Sequence, residues 1–305
     1  MSTMTRAIVF DEYGGPQVLR LVDLPDPVPG PGQVRIRVRA AGVQPADSKL
    51  RSGAWKSWAP VTFPGRLGNE AAGVVDALGP EVTGFAVGDE VLGPANGAYA
   101  DTVVASVKLL APKPAALTWS EAGALAASGQ TASTVLEDLA VKPGETILVN
   151  AAAGGVGLMA VQIAVARGVK VIGTASEANH EFLRGLGVVP VTYGPGLADR
   201  VRAAAPEGVD AALDAAGGDA LEVSLDLVGD RDRVGTIVDQ GAAARLAVKA
   251  LGTRRSGSRL AELVALAAAG ELRVFVWKQF PLERAADAHR ESEGRHVRGK
   301  IVLMP

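Results

Sequence analysis

The stretch N-A-A-A-G-G-V-G-L-M-A-V-Q-I, residues 150–163, decides the fold because it joins a strand-like segment to a helix-like one. The apolar run E-T-I-L-V-N precedes it, and an amphipathic pattern continues after it towards Gly168. Gly154, Gly155 and Gly157 lie where the two segments meet. A helix that opens behind such a turn presents unpaired N–H groups, and the missing side chains let phosphate oxygens approach the backbone. The stretch therefore predicts a pyrophosphate-binding strand-turn-helix, although Ala152 occupies the first glycine position of the usual fingerprint.

Strand-like and helix-like segments alternate along the chain after this turn. The helical patterns cover residues 155–167 and 177–186. The apolar runs V-K-V-I-G-T-A, G-V-V-P-V, V-D-A-A-L-D-A and R-V-G-T-I-V-D cover residues 169–175, 187–191, 209–215 and 233–239. This alternation is typical of a parallel, doubly wound sheet and places the chain in the α/β class.

The first hundred residues follow a different rhythm. V-R-I-R-V-R, residues 34–39, alternates apolar and charged side chains as a half-buried strand does, and frequent turn residues follow, as in an antiparallel barrel or sandwich. Thr118 and Glu121 form a capping box that opens a helical region, with a break near Gly129 and an end near Ala140. At the other end, the sequence predicts a helix from about residue 258 to 270, a helix after residue 281 and a final strand K-I-V-L-M.

The composition excludes several classes of function. The 305 residues are 48% hydrophobic and 21% charged, with a formal net charge of -2, which is the balance of a globular protein with no general attraction to nucleic acid or anionic membranes. No apolar run is long enough to cross a bilayer and no signal peptide is apparent, so we expect a cytoplasmic protein. Cysteine is absent, which excludes disulfides and thiolate ligands.

The end of the second predicted strand indicates which dinucleotide binds. A site that prefers NAD places an Asp or Glu there for the ribose hydroxyls, whereas this chain has G-T-A-S at residues 173–176. Glu177 follows, but an acidic residue is also a common partner of a helix N-terminus. Ser176, His180 and Arg184 have helical spacing and could bind the 2′-phosphate of NADPH together, or could form a solvated helix face. We therefore expect NADPH.

Six segments together resemble one known family, the zinc-independent quinone oxidoreductase (zeta-crystallin-like) branch of the medium-chain dehydrogenase/reductase superfamily. The resemblance covers nearly the whole chain and is carried by G-V-Q-P-A-D-S-K-L-R-S-G (42–53), P-G-R-L-G-N-E-A-A-G-V-V (64–75), V-T-G-F-A-V-G-D-E-V-L-G (82–93), the glycine-rich stretch, V-I-G-T-A-S (171–176) and the C-terminal H-V-R-G-K-I-V-L-M-P. It implies a GroES-like β-barrel domain, residues 1–120 and 271–305, and a Rossmann domain, residues 121–270.

The resemblance also adds residues around the cofactor. It implies that Thr131 and Tyr193 contact NADPH, Tyr193 near the 2′-phosphate, and that Ala215, Ile237 and Lys300 are cofactor neighbours. Asp214 beside Ala215 could instead cap the next helix, and Lys300 could be a solvated charge. The predicted cofactor-binding set is Thr131, Gly154, Gly155, Val156, Thr174, Ser176, His180, Tyr193, Ala215, Ile237 and Lys300.

The substrate side departs from the family pattern. Gln44 stands where the motif usually has Asn, Trp55 where it usually has Tyr after R-x-G, and His180 where Lys is common. We expect Gln44, Asp47 and Trp55 to orient the substrate, and Arg51 to reach the cofactor phosphates. The alternatives are a structural turn residue for Asp47, a surface charge for Arg51 and a lid or core aromatic for Trp55.

No metal is expected. A zinc alcohol dehydrogenase needs Cys, His or carboxylate ligands in its N-terminal catalytic region, but this chain has no Cys, and its three His lie outside that region, at positions 180, 289 and 296. The predicted activity is hydride transfer from NADPH to a quinone or an α,β-unsaturated carbonyl, in a homodimer as is common in the family. The alternatives are a dedicated biosynthetic enoyl reductase and a non-catalytic NADPH-binding protein with a structural or RNA-associated role.

Overall fold

The computed structural model describes residues 4–294 and 296–305, and its strands and helices bear out the α/β pattern. The strands are β1 (Met4–Phe10), β2 (Arg20–Pro25), β3 (Gln33–Val43), β4 (Gly65–Arg66), β5 (Ala71–Leu78), β6 (Glu90–Gly93), β7 (Thr102–Ser106), β8 (Ala111–Pro112), β9 (Thr146–Val149), β10 (Lys170–Thr174), β11 (Val189–Val191), β12 (Ala211–Asp214), β13 (Val234–Thr236), β14 (Lys249–Ala250), β15 (Val276–Pro281) and β16 (Lys300–Met304). The helices are α1 (Pro45–Ser52), α2 (Trp119–Ala122), α3 (Ala126–Asp138), α4 (Gly155–Ala166), α5 (His180–Arg184), α6 (Leu197–Ala204), α7 (Ala220–Leu227), α8 (Gln240–Leu246), α9 (Gly257–Ala268) and α10 (Ala285–Glu293).

The chain divides into two compact units. The first contains Met1–Ala127, Arg255–Ala269 and Val274–Pro305, and the second contains Ser128–Arg254 and Gly270–Arg273. The predicted boundary assigned residues 255–269 to the dinucleotide-binding domain, whereas this division places them in the first unit. Helix α9 belongs there because Gly257 lies against Lys108, so close that a Cβ on the glycine would stand 2.6 Å from the Lys108 carbonyl oxygen.

The second unit is built on a parallel sheet. Within the described residues its strand order is β11-β10-β9-β12-β13-β14, and every neighbouring pair is parallel. This order, in which the first strand of the unit lies centrally and the chain winds outward in both directions, is that of the doubly wound dinucleotide-binding fold. The predicted parallel sheet is therefore confirmed.

The first unit is mainly antiparallel. One sheet has the order β2-β1-β4, and a larger one has the order β15-β16-β3-β5-β6-β8, with β7 also paired to β3. In β3 the apolar residues Val34, Ile36 and Val38 are buried, as their alternation with arginine predicted. They enter a core that includes Phe10, Tyr99 and Leu303.

Two helical predictions need correction. The break in the region after Thr118 falls at Gly123 rather than near Gly129, because a Cβ on Gly123 would stand 2.6 Å from that of Ala40, whereas Gly129 continues α3. The capping box itself is present: the Thr118 N–H donates to the Glu121 carboxylate at 2.8 Å. Residues 177–186 form a 3-10 turn, Glu177–Asn179, before the short α5, so Ser176 and Arg184 do not lie on one continuous helix.

Candidate functional site

The glycine-rich turn between β9 and α4 has the geometry of a phosphate cradle. Helix α4 begins at Gly155, Gly154 precedes it with extended backbone, and no side chain caps this end of the helix. The first N–H groups of a helix have no partner within it, so those of residues 155–157 remain as donors for an anion. A Cβ on Gly154 would meet only the Ala151 carbonyl, at 3.3 Å, which leaves the approach to these donors open.

Gly157 is needed for the packing of the same turn. A Cβ at this position would stand 2.2 Å from the Ala151 carbonyl oxygen, so only glycine lets the first turn of α4 pack against the loop. The predicted site residue Thr174 supports the loop from β10: its hydroxyl accepts from the Ala151 N–H at 3.0 Å, and its carbonyl accepts from the Ala152 N–H. Thr174 is 2% exposed, so the structure gives it a supporting part in the turn.

The carboxyl ends of the parallel strands bring most of the predicted cofactor residues to one edge of the sheet. Pairing in register places Gly173 and Leu213 beside Val149, Thr174 beside Val191, and Asp214 beside Thr236. The residues that follow these strand ends are therefore neighbours along that edge, where open α/β sheets bind their ligands. They are Gly154, Gly155 and Val156 after β9, Ser176 and His180 after β10, Tyr193 after β11, Ala215 after β12 and Ile237 after β13.

Side chains at this edge are held by short-range hydrogen bonds. Ser176 is half-buried, and its Oγ accepts from the Asn179 amide at 3.2 Å, which leaves the hydroxyl proton for donation. His180 Nε2 lies 3.4 Å from the Ala175 carbonyl oxygen, and Tyr193 is 59% exposed. Arg184 is exposed one helical turn beyond His180. No carboxylate lies between Gly173 and Ser176, as the sequence shows.

Asp214 closes the turn after β12. It is fully buried, its Oδ1 accepts from the N–H groups of Ala216 and Gly217 at 2.9 Å, and its Oδ2 accepts from the Thr236 hydroxyl at 2.7 Å. Asp214 therefore shapes the loop that carries Ala215, and the alternative that it caps the next helix is wrong, because the N-cap of α7 is Asp219. Elsewhere in the second unit, the Thr131 and Thr253 hydroxyls lie 2.6 Å apart.

The first unit contains a buried polar cluster that the sequence did not predict as a whole. Glu70 is fully buried just before β5 and accepts from the Lys300 ammonium at 3.1 Å, from the Ala127 N–H at 2.7 Å and from the Gln44 side-chain amide. Lys300 is 3% exposed and Gln44 8% exposed. The alternative of a solvated charge at Lys300 is wrong, because its ammonium is buried beside a carboxylate.

Glu70 was not among the predicted site residues, although the sequence around it indicates a buried carboxylate. A glutamate inside the run L-G-N-E-A-A-G-V-V, residues 67–75, interrupts a pattern of small and apolar residues, and a carboxylate in such a setting is rarely buried unless it is paired. The sequence does not indicate which residue pairs with Glu70, because its partner Lys300 lies 230 positions away.

Asp47 belongs to the framework beneath this cluster. Its carboxylate accepts from the N–H groups of Gln44 and Gly68 at 2.9 and 3.2 Å and from the Tyr99 hydroxyl at 2.9 Å, with 2% exposure. Burial is the main reason that the pKa of Asp47 is raised, although these hydrogen bonds and the Lys300 charge act in the opposite direction. The turn-residue alternative therefore describes Asp47 better than contact with a substrate.

Arg51 is also structural, and the expected contact with cofactor phosphates is wrong. Its guanidinium is 2% exposed and donates to the Gly14 carbonyl at 3.1 Å, to His289 Nδ1 at 3.0 Å and to Glu293 at 2.6 Å. His289 is fully buried, and burial, reinforced by the Arg51 charge, lowers its pKa to about 3. The imidazole is thus neutral and accepts from Arg51.

Trp55 follows α1 and remains a candidate for contact with a substrate. It is half-buried, its ring centroid lies 4.7 Å from that of Trp58 with the planes tilted by 46°, and the Lys49 ammonium lies 5.2 Å from its centroid. Trp58 is 64% exposed. The pair forms an aromatic surface of a kind that a flat ring could contact.

Two general features bear on metals and membranes. In residues 4–294 and 296–305, no group of three or more His, Cys, Asp or Glu side chains is arranged to hold a metal ion. Over the same residues, no helix combines the length and apolar character needed to cross a bilayer.

Known families and proteins match both units of the chain. Residues 30–115 match a family described as the alcohol dehydrogenase GroES-like domain, and residues 186–303 match one described as zinc-binding dehydrogenase. The quinone oxidoreductase of Pseudomonas aeruginosa is 35% identical over 329 residues, which cover 99% of this chain and 100% of that protein.

Two further similarities differ in extent. The Pikromycin polyketide synthase component PikAII of Streptomyces venezuelae is 38% identical over 300 residues, which cover 92% of this chain but 8% of that protein. A crystal structure of Escherichia coli quinone oxidoreductase complexed with NADPH superimposes with a TM-score of 0.87 at 29% identity, covering 99% of this chain and 100% of that chain.

Proposed function

The chain belongs to the quinone oxidoreductase branch of the medium-chain dehydrogenase/reductase superfamily, and we propose that it is an NADPH-dependent, zinc-independent oxidoreductase that reduces a quinone or an α,β-unsaturated carbonyl. The observation that carries the proposal is the uncapped N-terminus of α4 behind a glycine turn, at the carboxyl edge of a doubly wound sheet. When bound, the dinucleotide supplies a hydride from C4 of its nicotinamide ring.

The fit of this chain to a dinucleotide rests on three features of the sheet edge. The N–H groups of residues 155–157 can hold the pyrophosphate, and the bare Gly154 lets it approach. Ser176 has a hydroxyl proton to donate where an NAD-preferring site would have a carboxylate. We accordingly assign the 2′-phosphate to the edge formed by Ser176, His180 and Tyr193, and NADPH to the site.

On the substrate side, Gln44 is the residue that we propose to orient the acceptor. Its amide carries two N–H donors, of which one goes to Glu70, and the residue as a whole is 8% exposed. Glu70 holds both Gln44 and Lys300, so the amide is fixed before a substrate arrives. A fixed donor beside a carbonyl oxygen stabilises the negative charge that grows there as the carbonyl compound is reduced.

Zinc independence is supported by the side chains that are present. The chain has no cysteine, His289 is engaged with Arg51, and His180 lies beside the Ala175 carbonyl in the second unit. None of these histidines joins a group of three potential ligands in the described part of the chain. The polar cluster around Glu70 contains a buried ammonium, which is an unfavourable neighbour for a divalent cation.

A panel of acceptors tests the proposal. Purified protein, treated with a chelator, is assayed with NADPH and NADH against naphthoquinones and enones, and we expect turnover that favours NADPH and is unchanged by added zinc. Activity that the chelator abolishes and zinc restores would contradict zinc independence. Equal use of NADH would contradict the assignment of the 2′-phosphate.

The same panel addresses a second candidate, a reductase for a dedicated biosynthetic enone. The 38% identity to part of a polyketide synthase component favours this candidate, because it would share the cofactor edge and differ at the acceptor. Turnover confined to enones, with none of the quinones reduced, would support it over a quinone reductase.

The remaining alternative is an NADPH-binding protein without catalytic activity, with a structural or RNA-associated role. A filter-binding titration with RNA beside the NADPH assay distinguishes it: RNA retention without turnover of any acceptor would favour this role. We also propose that the protein is cytoplasmic and forms a homodimer. Sedimentation of the purified protein tests the homodimer, because it measures the mass of the assembly.

A further inference from the structure

The loop that carries Tyr193 is held by one side chain from the next helix. Arg200, on α6, donates from Nε to the Thr192 carbonyl at 2.9 Å and from Nη1 to the Pro195 carbonyl at 2.8 Å. Its Nη2 donates to the carbonyls of Tyr193 and Gly194 at 3.3 and 3.1 Å. Four consecutive carbonyl oxygens, residues 192–195, thus converge on a single guanidinium.

The backbone of this loop is shaped to converge in this way. Gly194 and Gly196 have φ values of +87° and +76°, in the left-handed region that favours glycine, so the chain curls around the guanidinium between them. A Cβ on Gly196 would stand 3.2 Å from Arg200 Nη1. The loop and the arginine are therefore fitted to each other. The guanidinium has five N–H donors in a planar fork and can bond all four carbonyls, whereas the ammonium of lysine has only three donors.

Strand pairing places this loop beside the end of β10. Thr174 pairs with Val191, and the Ala175 N–H donates to the Val191 carbonyl at 3.0 Å. Ser176 and Tyr193 therefore lie two residues beyond a paired position on neighbouring strands. In a doubly wound sheet the adenosine ribose lies at the end of the second strand, which is β10 here.

The charge of Arg200 also fits an anionic neighbour. Its bonds are all to carbonyl oxygens, and no carboxylate lies within ion-pair distance of it among the described residues. Arg202, two positions later on the same helix, is ion-paired with Asp199 and Asp226 at 3.3 and 2.6 Å. The acidic residue nearest in sequence to Ser176 is Glu177, which is exposed.

We propose that Arg200 is a specificity-determining positioning residue for the 2′-phosphate of the dinucleotide. By holding the carbonyls of residues 192–195, it fixes Tyr193 beside Ser176, so that both hydroxyls are in place to contact the phosphate. This inference rests on the proposed function, because it assumes that the dinucleotide lies along the carboxyl edge of the sheet.

The experiment measures binding of two cofactor fragments, 2′,5′-ADP and 5′-AMP, by calorimetry, so that it does not depend on turnover. Arg200→Gln should weaken binding of 2′,5′-ADP roughly tenfold and leave 5′-AMP within about twofold, since the loss of hydrogen bonds around one charged group is of that size. Arg200→Lys should also weaken 2′,5′-ADP, because lysine cannot hold four carbonyls. Tyr193→Phe should affect 2′,5′-ADP alone.

The matched control is Arg202→Gln, which removes an arginine from the same helix without touching the loop and should bind both fragments as the wild type does. Equal binding of 2′,5′-ADP by the wild type and Arg200→Gln would overturn the inference. So would an equal loss for both fragments, which indicates damage to the unit, or full binding by Arg200→Lys, which indicates charge alone. Intact fragment selectivity with no hydride transfer to any acceptor would instead overturn the proposed function.

Discussion

At the residue scale, Glu70 holds a buried cation and an amide on one carboxylate. Its side chain and that of Lys300 are 1% and 3% exposed, so neither charge is compensated by water. Removing one partner of a buried ion pair leaves the other charge uncompensated, which costs far more than losing a pair at the surface. The Glu222 pair with Arg245 is of the second kind, with side chains 42% and 62% exposed.

Glu70→Gln is therefore expected to lower the free energy of unfolding by about 3–5 kcal/mol, because the Lys300 ammonium stays buried without the carboxylate that it contacts. Urea unfolding followed by circular dichroism measures the difference. Glu222→Gln is the control and should unfold at the wild-type midpoint. Equal midpoints for the two variants would show that Lys300 finds water or another partner.

The stability that His289 contributes depends on pH. Its folded-state pKa of about 3 lies below the ordinary value of 6.5, so between these values the unfolded chain binds a proton that the folded chain does not. Stability from this residue is thus fully present above pH 6.5 and is lost as the pH falls towards 3, by up to about 1.4 kcal/mol per pH unit.

His289→Gln keeps an acceptor for Arg51 and removes the titration. Unfolding midpoints measured from pH 7 to pH 4.5 should fall less steeply for this variant than for the wild type. Parallel curves would show that the imidazole gains a proton in the folded state as readily as in the unfolded one.

At the element scale, the turn between β9 and α4 contains two glycines with different roles. Gly154 leaves room for a ligand, and Gly157 lets the helix pack against the loop. Gly154→Ala would add a methyl group 3.3 Å from one carbonyl, in a backbone conformation that alanine adopts, whereas Gly157→Ala would place one 2.2 Å from the Ala151 oxygen. We expect Gly154→Ala to weaken NADPH binding with an unchanged melting temperature. Gly157→Ala should lower both, because α4 must move away from the loop.

Fluorescence titration with NADPH and thermal unfolding of the same samples measure the two effects. Gly229→Ala, at a position where a Cβ would meet nothing within 4 Å, is the control. A Gly154→Ala variant that binds NADPH with wild-type affinity would show that the phosphates do not approach this glycine.

The elements were largely predictable because their signals are local. The alternation in β3, the capping box at Thr118 and the glycine turn each lie within a dozen residues. The break at Gly123 was misplaced because its cause is the close approach to Ala40, about eighty positions earlier. The hydrogen bonds of Arg200 to the loop were not predicted for a related reason. Their acceptors are backbone carbonyls, which every residue type has, so the sequence does not indicate them.

At the scale of the whole molecule, the chain combines an antiparallel unit that holds a buried polar cluster with a parallel unit whose edge presents phosphate donors. The patterns of the sequence together with the family resemblance predicted both units and the residues along that edge, to which the resemblance added Tyr193, Ala215 and Ile237. It could not predict which polar side chains are framework, since Asp47 and Arg51 are distinguished from Gln44 only by their partners and burial.

The proposed function requires that this chain transfers hydride from NADPH without a metal. The most direct measurement is single-turnover stopped-flow of chelator-treated protein with NADPH, or NADPH deuterated at C4, against an enone and a naphthoquinone. We expect that at least one acceptor oxidises NADPH, that deuterium at the transferred position slows the step, and that a reduced enone carries the label on its β-carbon. No oxidation of NADPH by any acceptor, or oxidation only after zinc is returned, would contradict it.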